Sequence, residues 1–126
     1  MSDAFTASRR KAEKRGRRSE TYAVLLLLLK GYRILGRRVK TKVGEIDLIA
    51  KSPRGVVCFI EVKARASDGE ALLSIGPRQQ ARIARAAALY VAKRPALARR
   101  GIRFDVVTVA PRSLPRHRAD AFRSPE

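Results

Sequence analysis

Cysteine, tryptophan and acidic residues are all scarce in this chain of 126 residues. Its single cysteine, Cys58, permits no internal disulfide and no cysteine-based zinc site, which favours a reducing compartment and a cytoplasmic protein. The longest apolar run covers residues 23–29, well short of the roughly 20 residues that a membrane-spanning helix needs. We therefore expect a protein that is not stabilised by disulfides and that does not span a membrane.

Negative charge is the scarcity with the largest functional implication. The chain has 29 Lys and Arg residues against 11 Asp and Glu, a formal net charge of +18 at pH 7. Self-repulsion on this scale opposes a compact state and favours a polyanionic partner. The composition therefore predicts nucleic acid binding in preference to binding of anionic lipid, and it disfavours an enzyme of small acidic substrates.

The pattern along the chain predicts the order α-β-β-β-α-β, an α/β domain with a mixed sheet. A helix is expected to begin near Ser8 and end at Lys30. Its first half is basic, and its second half is apolar on all sides, which is typical of a helix covered by other elements. The other predicted elements are strands at residues 32–40, 45–51, 56–65 and 102–109, a loop at 66–76 and a second helix at 78–94.

The predicted domain organisation has three parts. Residues 1–15 form a basic, partly flexible N-terminus, and residues 16–110 form the single domain. Residues 111–126 are rich in Pro and Arg with few large apolar side chains, which predicts a disordered basic tail.

Acidic residues are concentrated in the two strands with the clearest alternation. A strand places every second side chain on one face, so Glu45 shares a face with Asp47, opposite Ile46 and Leu48. On the next strand Glu61 and Lys63 share a face. The short connection at residues 52–55 contains Pro and Gly and predicts a hairpin, which brings Asp47 beside Glu61.

Two carboxylates held together in apolar surroundings repel each other and lose solvation. A divalent cation relieves that cost, and hard oxygen ligands suit Mg²⁺ or Mn²⁺. Such a site polarises a phosphate oxygen and activates water, while Lys63 positions the water or stabilises developing charge. From the residues alone, a structural cluster of ion pairs explains the same pattern equally well.

The run at residues 44–50, GEIDLIA, followed by FIEVKAR at 59–65, closely resembles the YraN family of small bacterial proteins. The resemblance covers about residues 16–109 and implies the PD-(D/E)xK nuclease superfamily. It further implies a restriction-endonuclease-like fold and a likeness to Holliday-junction resolvases. On that basis a Mg²⁺- or Mn²⁺-dependent endonuclease acting on DNA is expected, with branched or structured DNA as a substrate.

Carried over by position, the resemblance assigns catalysis to Asp47, Glu61 and Lys63, and metal binding to Asp47, Glu61 and Glu20. Gln80 matches the glutamine of the family's second helix, although Gln79 precedes it where the family usually has Lys. Arg38 stands where Asn is common. The residues expected to contact nucleic acid are Arg65, Arg78, Gln80 and Arg82.

Other polar residues have simpler interpretations. Glu45 is either an outer neighbour of the metal site or a hydrated strand residue, and Asp105 is expected to hold a structural bond. His117 falls in the predicted tail, where no catalytic role is expected, and Cys58 is expected in the core. Arg78, Arg82 and Arg85 either follow phosphates or lie on a solvated helix face.

Two rival functions remain open at this stage. A non-catalytic DNA- or RNA-binding protein that retains the nuclease fold explains both the charge and the motif. An RNA-associated basic protein explains the charge but leaves the acidic strand pair without a purpose. Resolvase-like enzymes cut symmetric junctions as dimers, so a homodimer is a further expectation.

Overall fold

The computed structural model describes residues 18–64 and 75–123. Within these ranges a five-stranded sheet lies between two helices. The elements are α1 (described part 18–29), β1 (Arg33–Thr41), β2 (Gly44–Lys51), β3 (Val57–Ala64), α2 (Pro77–Ala92), β4 (Ile102–Val109) and β5 (Arg116–Phe122). The predicted N-terminal part at residues 1–15 and most of the predicted loop lie outside the described residues.

The strands follow one another across the sheet in the order β1-β2-β3-β4-β5. The pairs β1–β2, β2–β3 and β4–β5 are antiparallel, whereas β3 and β4 are parallel. A parallel pair needs a long crossover, and α2 lies in that connection. The prediction of a mixed α/β fold is thus confirmed, and the arrangement is compatible with a restriction-endonuclease-like core.

Each face of the sheet carries its own apolar cluster. On one face, Val57 and Phe59 of β3 pack with Ile83 and Tyr90 of α2. On the other face, Cys58 and Ile60 of β3 pack with Ala23 and Leu27 of α1. The alternation of β3 therefore produces a three-layer arrangement, with Glu61 on the α2 side because it continues the series 57, 59, 61.

The first helix ends at a glycine, as predicted. Gly31 has φ +85°, and its amide donates to the carbonyl of Leu28, while the amide of Tyr32 donates to the carbonyl of Leu27. These two bonds form a Schellman motif, in which a left-handed residue satisfies the last helical carbonyls.

The apolar half of α1 was predicted to be buried on all sides by other helices and strands, and this prediction is only partly right. Ala23 and Leu27 are buried, but other apolar side chains on α1 face outward. The exposed ones are Tyr22, Leu25, Leu28 and Leu29. No described helix is long and apolar enough to cross a membrane.

The prediction of a disordered tail from residue 111 is wrong at residues 116–122, which form β5 and complete the sheet. Composition misled because this edge strand needs little apolar surface of its own. Its backbone pairs with β4, the Phe122 ring stacks on Phe104 with centroids 5.1 Å apart, and His117 inserts a polar side chain. Backbone pairing with an existing sheet and two inward side chains suffice for order here.

Ile46 does not share the environment of its strand neighbours, contrary to the predicted alternation. Leu48 and Ala50 pack in the cluster with α1, whereas Ile46 packs in the cluster with α2. The described pairing of β2 with β3 reaches from Lys51↔Val57 to Leu48↔Ile60 and stops there. Ile46 lies in the part of β2 that pairs only with β1. Pairing with β3 therefore does not hold Ile46 to the alternation of the rest of β2.

Candidate metal and nucleic-acid site

Asp47 and Glu61 are the first residues beyond the pairing of β2 with β3, one on each strand. Asp47 Oδ2 accepts a hydrogen bond of 2.9 Å from the amide of Val62. The Asp47 side chain thus accepts the Val62 amide in place of a backbone carbonyl of β2, at the point where β2 and β3 separate. This bond orients the Asp47 carboxylate. Glu61 is buried, with 4% of its surface exposed. The hairpin therefore brings together the two carboxylates that the sequence analysis paired.

Burial, followed by the negative charge and close contact of Asp47, raises the pKa of Glu61 to about 8. The positive charges of Lys63 and Arg82 oppose that shift. Glu61 Oε1 is buried and has no hydrogen-bond partner among the described residues. Two ionised carboxylates are both acceptors, so neither can donate to the other, and their contact becomes favourable only when one holds a proton or a cation binds between them.

Replacing Glu61 by glutamine will reduce the pH dependence of stability in the metal-free protein. The Glu61 carboxyl has a pKa of about 8 in the folded state and about 4.5 in the unfolded state. Between pH 4.5 and pH 8 it therefore holds a proton in the folded state but not in the unfolded state. Stability therefore falls as pH rises through this window, by at most about 1.4 kcal/mol per pH unit for one proton. Urea unfolding at pH 5, 6, 7 and 8 in chelator measures the slope.

Glu45→Gln is the matched control, because it makes the same substitution at an exposed carboxylate on the neighbouring strand, β2. We expect Glu61→Gln to flatten the slope and Glu45→Gln to leave it unchanged. Equal slopes in wild type and Glu61→Gln would contradict the assignment of the proton to Glu61.

Lys63 and Arg82 supply positive charge to the carboxylate pair, since both lower the pKa of Glu61 against the larger effect of burial. Arg82 Nη1 donates to the carbonyl of Glu45 at 3.3 Å, which fixes the guanidinium beside the start of β2. Arg82 lies so close to Gly44 that a Cβ at that position would collide with it. Gly44 therefore provides the space that brings Arg82 toward the carboxylates.

The second-helix glutamine that contacts the carboxylates is Gln79. Gln79 Nε2 donates to Glu61 Oε2 at 3.5 Å, while Gln80 Nε2 donates to the carbonyl of Ile75 at 3.0 Å. The expected contact of Gln80 with nucleic acid stays a prediction. The helical pattern alone did not identify Gln79, because Gln79 is four residues and Gln80 three residues before Ile83, and both spacings share a helix face.

Glu20, predicted as a third metal ligand, is buried and engaged by two arginines. Its Oε1 accepts from Arg37 Nε at 3.2 Å and its Oε2 from Arg38 Nε at 2.9 Å. The hydrogen bond to Glu20 and its charge raise the pKa of Arg38. Within residues 18–64 and 75–123, no group of three His, Cys, Asp or Glu residues is placed to hold a metal ion. The structure thus brings Asp47 and Glu61 together without Glu20.

The remaining residues predicted to contact nucleic acid differ in their placement. Arg78 is exposed in the first turn of α2. Arg82 is half-buried at the carboxylate pair, and Arg85 is exposed. Arg65 lies outside the described residues.

Asp105 is fully buried and holds a polar network at the other side of the molecule, as its predicted structural role requires. Arg103 donates to both of its carboxylate oxygens at 2.8 Å, and the Asp120 amide donates at 3.0 Å. His117 Nε2 lies 2.7 Å from Asp105 Oδ2. Burial acts to raise the pKa of Asp105, but the bonds from Arg103, His117 and the Asp120 amide outweigh it and lower the pKa to about 2.

His117 has a structural position that its surroundings in the sequence did not reveal. Its Nδ1 lies 2.6 Å from Lys30 Nζ, and an ammonium group can only donate. Nδ1 is therefore an acceptor, and Nε2 carries the proton that is donated to Asp105. Cys58, as predicted, is buried in the core, and burial raises the pKa of its thiol to about 12.

The donor set at Asp47 and Glu61 fits a small, hard divalent cation. Mg²⁺ sites in proteins that act on phosphates commonly use one or two carboxylates and leave other positions to water and substrate. The buried Glu61 Oε1 without a partner is the kind of atom that such a cation satisfies. Lys63 and Arg82 add positive charge near the pair, which suits a phosphate more than a third carboxylate ligand.

Comparison with known proteins is consistent along nearly the whole chain. The model of the family described as "Uncharacterised protein family UPF0102", also called the YraN family, matches residues 19–109. A UPF0102 protein of Agrobacterium fabrum is 51% identical over 120 residues, covering 95% of this chain and 98% of that protein. Relatives from Maricaulis maris and Mesorhizobium japonicum are 50% and 47% identical, over 94% and 97% of this chain and 92% and 97% of their own.

The family match includes β1 to β4, both helices and each of the residues Asp47, Glu61 and Lys63. The family resemblance found in the sequence is thereby confirmed. The chain belongs to the UPF0102 (YraN) family.

Proposed function

We propose that this protein is a nucleic-acid-binding, metal-dependent endonuclease that hydrolyses phosphodiester bonds at the Asp47–Glu61 pair. The observation that carries the proposal is a carboxylate pair in which Glu61 is buried and Asp47 half-buried, and in which Glu61 Oε1 has no hydrogen-bond partner among the described residues, in a chain of net charge +18. A structural ion-pair cluster would satisfy its buried acceptors internally, because an unpaired buried polar atom costs about 1–3 kcal/mol.

Asp47 and Glu61 would hold Mg²⁺ or Mn²⁺. When bound, the cation supplies Lewis-acid chemistry, which polarises a phosphoryl oxygen and favours ionisation of water. The bond from the Val62 amide holds the Asp47 carboxylate in one orientation. Gln79 limits the rotation of Glu61 through its contact with Oε2. The chain thus presents a preorganised acceptor pair, which lowers the cost of ordering the site when substrate binds.

Lys63 and Arg82 would act on the phosphodiester. Hydrolysis forms a bond between a water oxygen and phosphorus, breaks a bond from phosphorus to a sugar oxygen, and places extra negative charge on the phosphoryl oxygens. An ammonium group at Lys63 stabilises this charge and orients the attacking water. Arg82, anchored on the Glu45 carbonyl, keeps other N–H groups for a phosphate oxygen.

A cleavage panel tests the proposal. The purified chain is incubated with supercoiled plasmid and with labelled linear, nicked, single-stranded and four-way-junction DNA, plus structured RNA. Each substrate is tested in Mg²⁺, Mn²⁺ or excess chelator. We expect metal-dependent cleavage of at least one DNA, with branched DNA cut faster than linear DNA. Calorimetric binding of Mn²⁺ without cleavage of any substrate would instead favour the non-catalytic binding protein.

A further inference from the structure

A basic groove lies between the turn that joins β1 to β2 and the C-terminal end of α2. It encloses a cavity of about 200 Å³. Four cationic residues line it, Lys40, Lys42, Lys93 and Arg94, and none of the described residues that line it is acidic. Val39 and Leu89 provide an apolar wall beside the charges. A concave surface with one sign of charge concentrates counter-ions more strongly than a convex one.

One cation of the groove is held in place before any ligand binds. The Arg94 guanidinium carbon lies 4.0 Å from the centroid of the Tyr90 ring, and Arg94 Nη1 donates to the Tyr90 carbonyl at 3.2 Å. Stacking and hydrogen bonding fix the plane of the guanidinium and leave its other N–H groups for an acceptor. A preorganised arginine of this kind suits a phosphate, because the planar guanidinium can donate to two phosphate oxygens at once.

The opposite wall is also rigid. Thr41 Oγ1 donates to the Gly44 carbonyl at 2.7 Å and accepts from the Val43 amide at 3.3 Å. These bonds fix the turn that carries Lys40 and Lys42. In residues 18–64 and 75–123, no carboxylate forms an ion pair with Lys40, Lys42 or Lys93.

Stabilisation of a helix end does not explain the groove. Cations at the C-terminus of a helix interact favourably with its dipole, which accounts for Lys93 and Arg94. Lys40 and Lys42 lie on a hairpin, where their charges have no such partner and repel the other two. Like charges gathered around one concave surface are stabilised when an anion binds among them.

The geometry points to a second anchoring site in this groove, which binds the sugar–phosphate backbone of the same nucleic acid that occupies the carboxylate pair. Phosphate oxygens would meet Arg94 and the three lysines, and sugar carbons would meet Val39 and Leu89. The identity of the polyanion rests on the proposed function, whereas binding in the groove requires neither metal nor cleavage.

The two sites lie near opposite ends of α2. Gln79, in the first turn, contacts Glu61, and Lys93 follows the last turn. A helix rises about 1.5 Å per residue, so fourteen residues separate the two ends by about 20 Å. Duplex DNA advances by about 3.4 Å per base pair, so a duplex must exceed roughly six base pairs to reach both.

The test measures binding in chelator, where cleavage cannot contribute. Fluorescence anisotropy with a 20-base-pair duplex compares wild type with the double variant Lys40→Gln/Lys93→Gln over a series of salt concentrations. Arg54→Gln/Arg99→Gln is the matched control, because it removes two exposed positive charges that do not line the groove. Anionic lipid vesicles and AMP serve as alternative probes for the groove.

We expect the groove variant to bind the duplex about 10-fold or more weakly at 100 mM salt. The slope of log K against log salt should fall by about 2, because each lost phosphate contact removes about 0.9. The control should change affinity less than 3-fold. Equal losses in the two double variants would overturn the inference, and so would selective loss of vesicle or AMP binding with duplex binding unchanged. Failure of cleavage in the earlier panel would leave this result standing.

Discussion

Under the proposed function, replacing Asp47 by asparagine is expected to abolish metal-dependent cleavage and at the same time to stabilise the metal-free protein. Asparagine retains an oxygen that accepts the Val62 amide, so the local backbone is preserved. It loses the negative charge that binds the cation, and cleavage should fall by about 10³-fold or more. Because the charge of Asp47 raises the pKa of Glu61, its removal relieves repulsion within the buried pair. We expect about 1 kcal/mol of added stability at pH 8 in chelator.

Two measurements on the same samples check this prediction: initial rates on the best substrate, and urea unfolding in chelator. Asp120→Asn is the control, since it removes an exposed carboxylate at φ 54°, a conformation that asparagine tolerates. Lys63→Met should also lose cleavage but retain Mn²⁺ binding by calorimetry. An Asp47→Asn protein that cleaves at the wild-type rate would exclude the carboxylate pair as the catalytic site.

Replacing Asp105 by alanine will cost about 3–5 kcal/mol of folding free energy. The change leaves the Arg103 guanidinium and the His117 ring without their acceptor, and the His117 side chain is only 2% exposed. Loss of one partner from a buried charged pair is costly because the other remains desolvated. Urea unfolding at pH 7 measures the loss, which should appear mainly as a lower midpoint.

Asp105 also gives this prediction a pH signature. Its pKa of about 2 in the folded state lies below the ordinary value of 3.8, so the stabilisation is present above about pH 4 and is lost as pH falls toward 2. The alanine variant should lack this component of acid unfolding. Asp105→Asn, which keeps an acceptor, should lose less stability than alanine. A loss below 1 kcal/mol in the alanine variant would show that the network contributes little.

A double-mutant cycle with His117→Ala separates the contact between strands from the rest of the network. His117 belongs to β5 and Asp105 to β4, so their coupling measures how strongly the edge strand is attached through this pair. We expect a coupling energy of about 1–3 kcal/mol. Additive losses would mean that the contact between His117 and Asp105 does not itself attach β5 to the sheet.

The central hairpin was predictable because two independent signals coincide there. Alternating apolar residues define both strands, and Pro53 and Gly55 mark the connection between them. The adjacency of Asp47 and Glu61 follows from that register alone. The second helix was equally clear, because Ile83, Ala87 and Tyr90 repeat with helical spacing.

Contacts between distant polar residues were not predictable in the same way. The pairing of Glu20 with Arg37 and Arg38 depends on how α1 crosses the sheet, and hydrophobic periodicity carries no information on which arginine a buried acid selects. The order of β5 depends on a buried polar contact between His117 and Asp105. The composition around His117 predicts a segment that cannot form a hydrophobic core by itself. That prediction fails because β5 only adds to a core that the other strands already form.

Gln79 and Gln80 are adjacent on α2 but make different contacts. Adjacent residues on a helix point about 100° apart, and Gln79 contacts Glu61 whereas Gln80 contacts the carbonyl of Ile75. Both lie within about one turn of Ile83, so the apolar stripe of the helix did not predict which of them reaches the carboxylates.

The separation of β2 from β3 at Asp47 has a consequence for the order in which the site would be lost on partial unfolding. Glu61 and Lys63 belong to β3, the third of five strands, which pairs with β4 throughout its length. Asp47 lies on β2 beyond the last β2–β3 pair, where β2 still pairs with β1, and one bond from the Val62 amide joins its side chain to β3. Hydrogen exchange should therefore protect the amide of Lys63 close to the limit set by global unfolding. The Val62 amide, whose acceptor is a side chain, should exchange through smaller openings in which Asp47 swings away while the sheet stays intact.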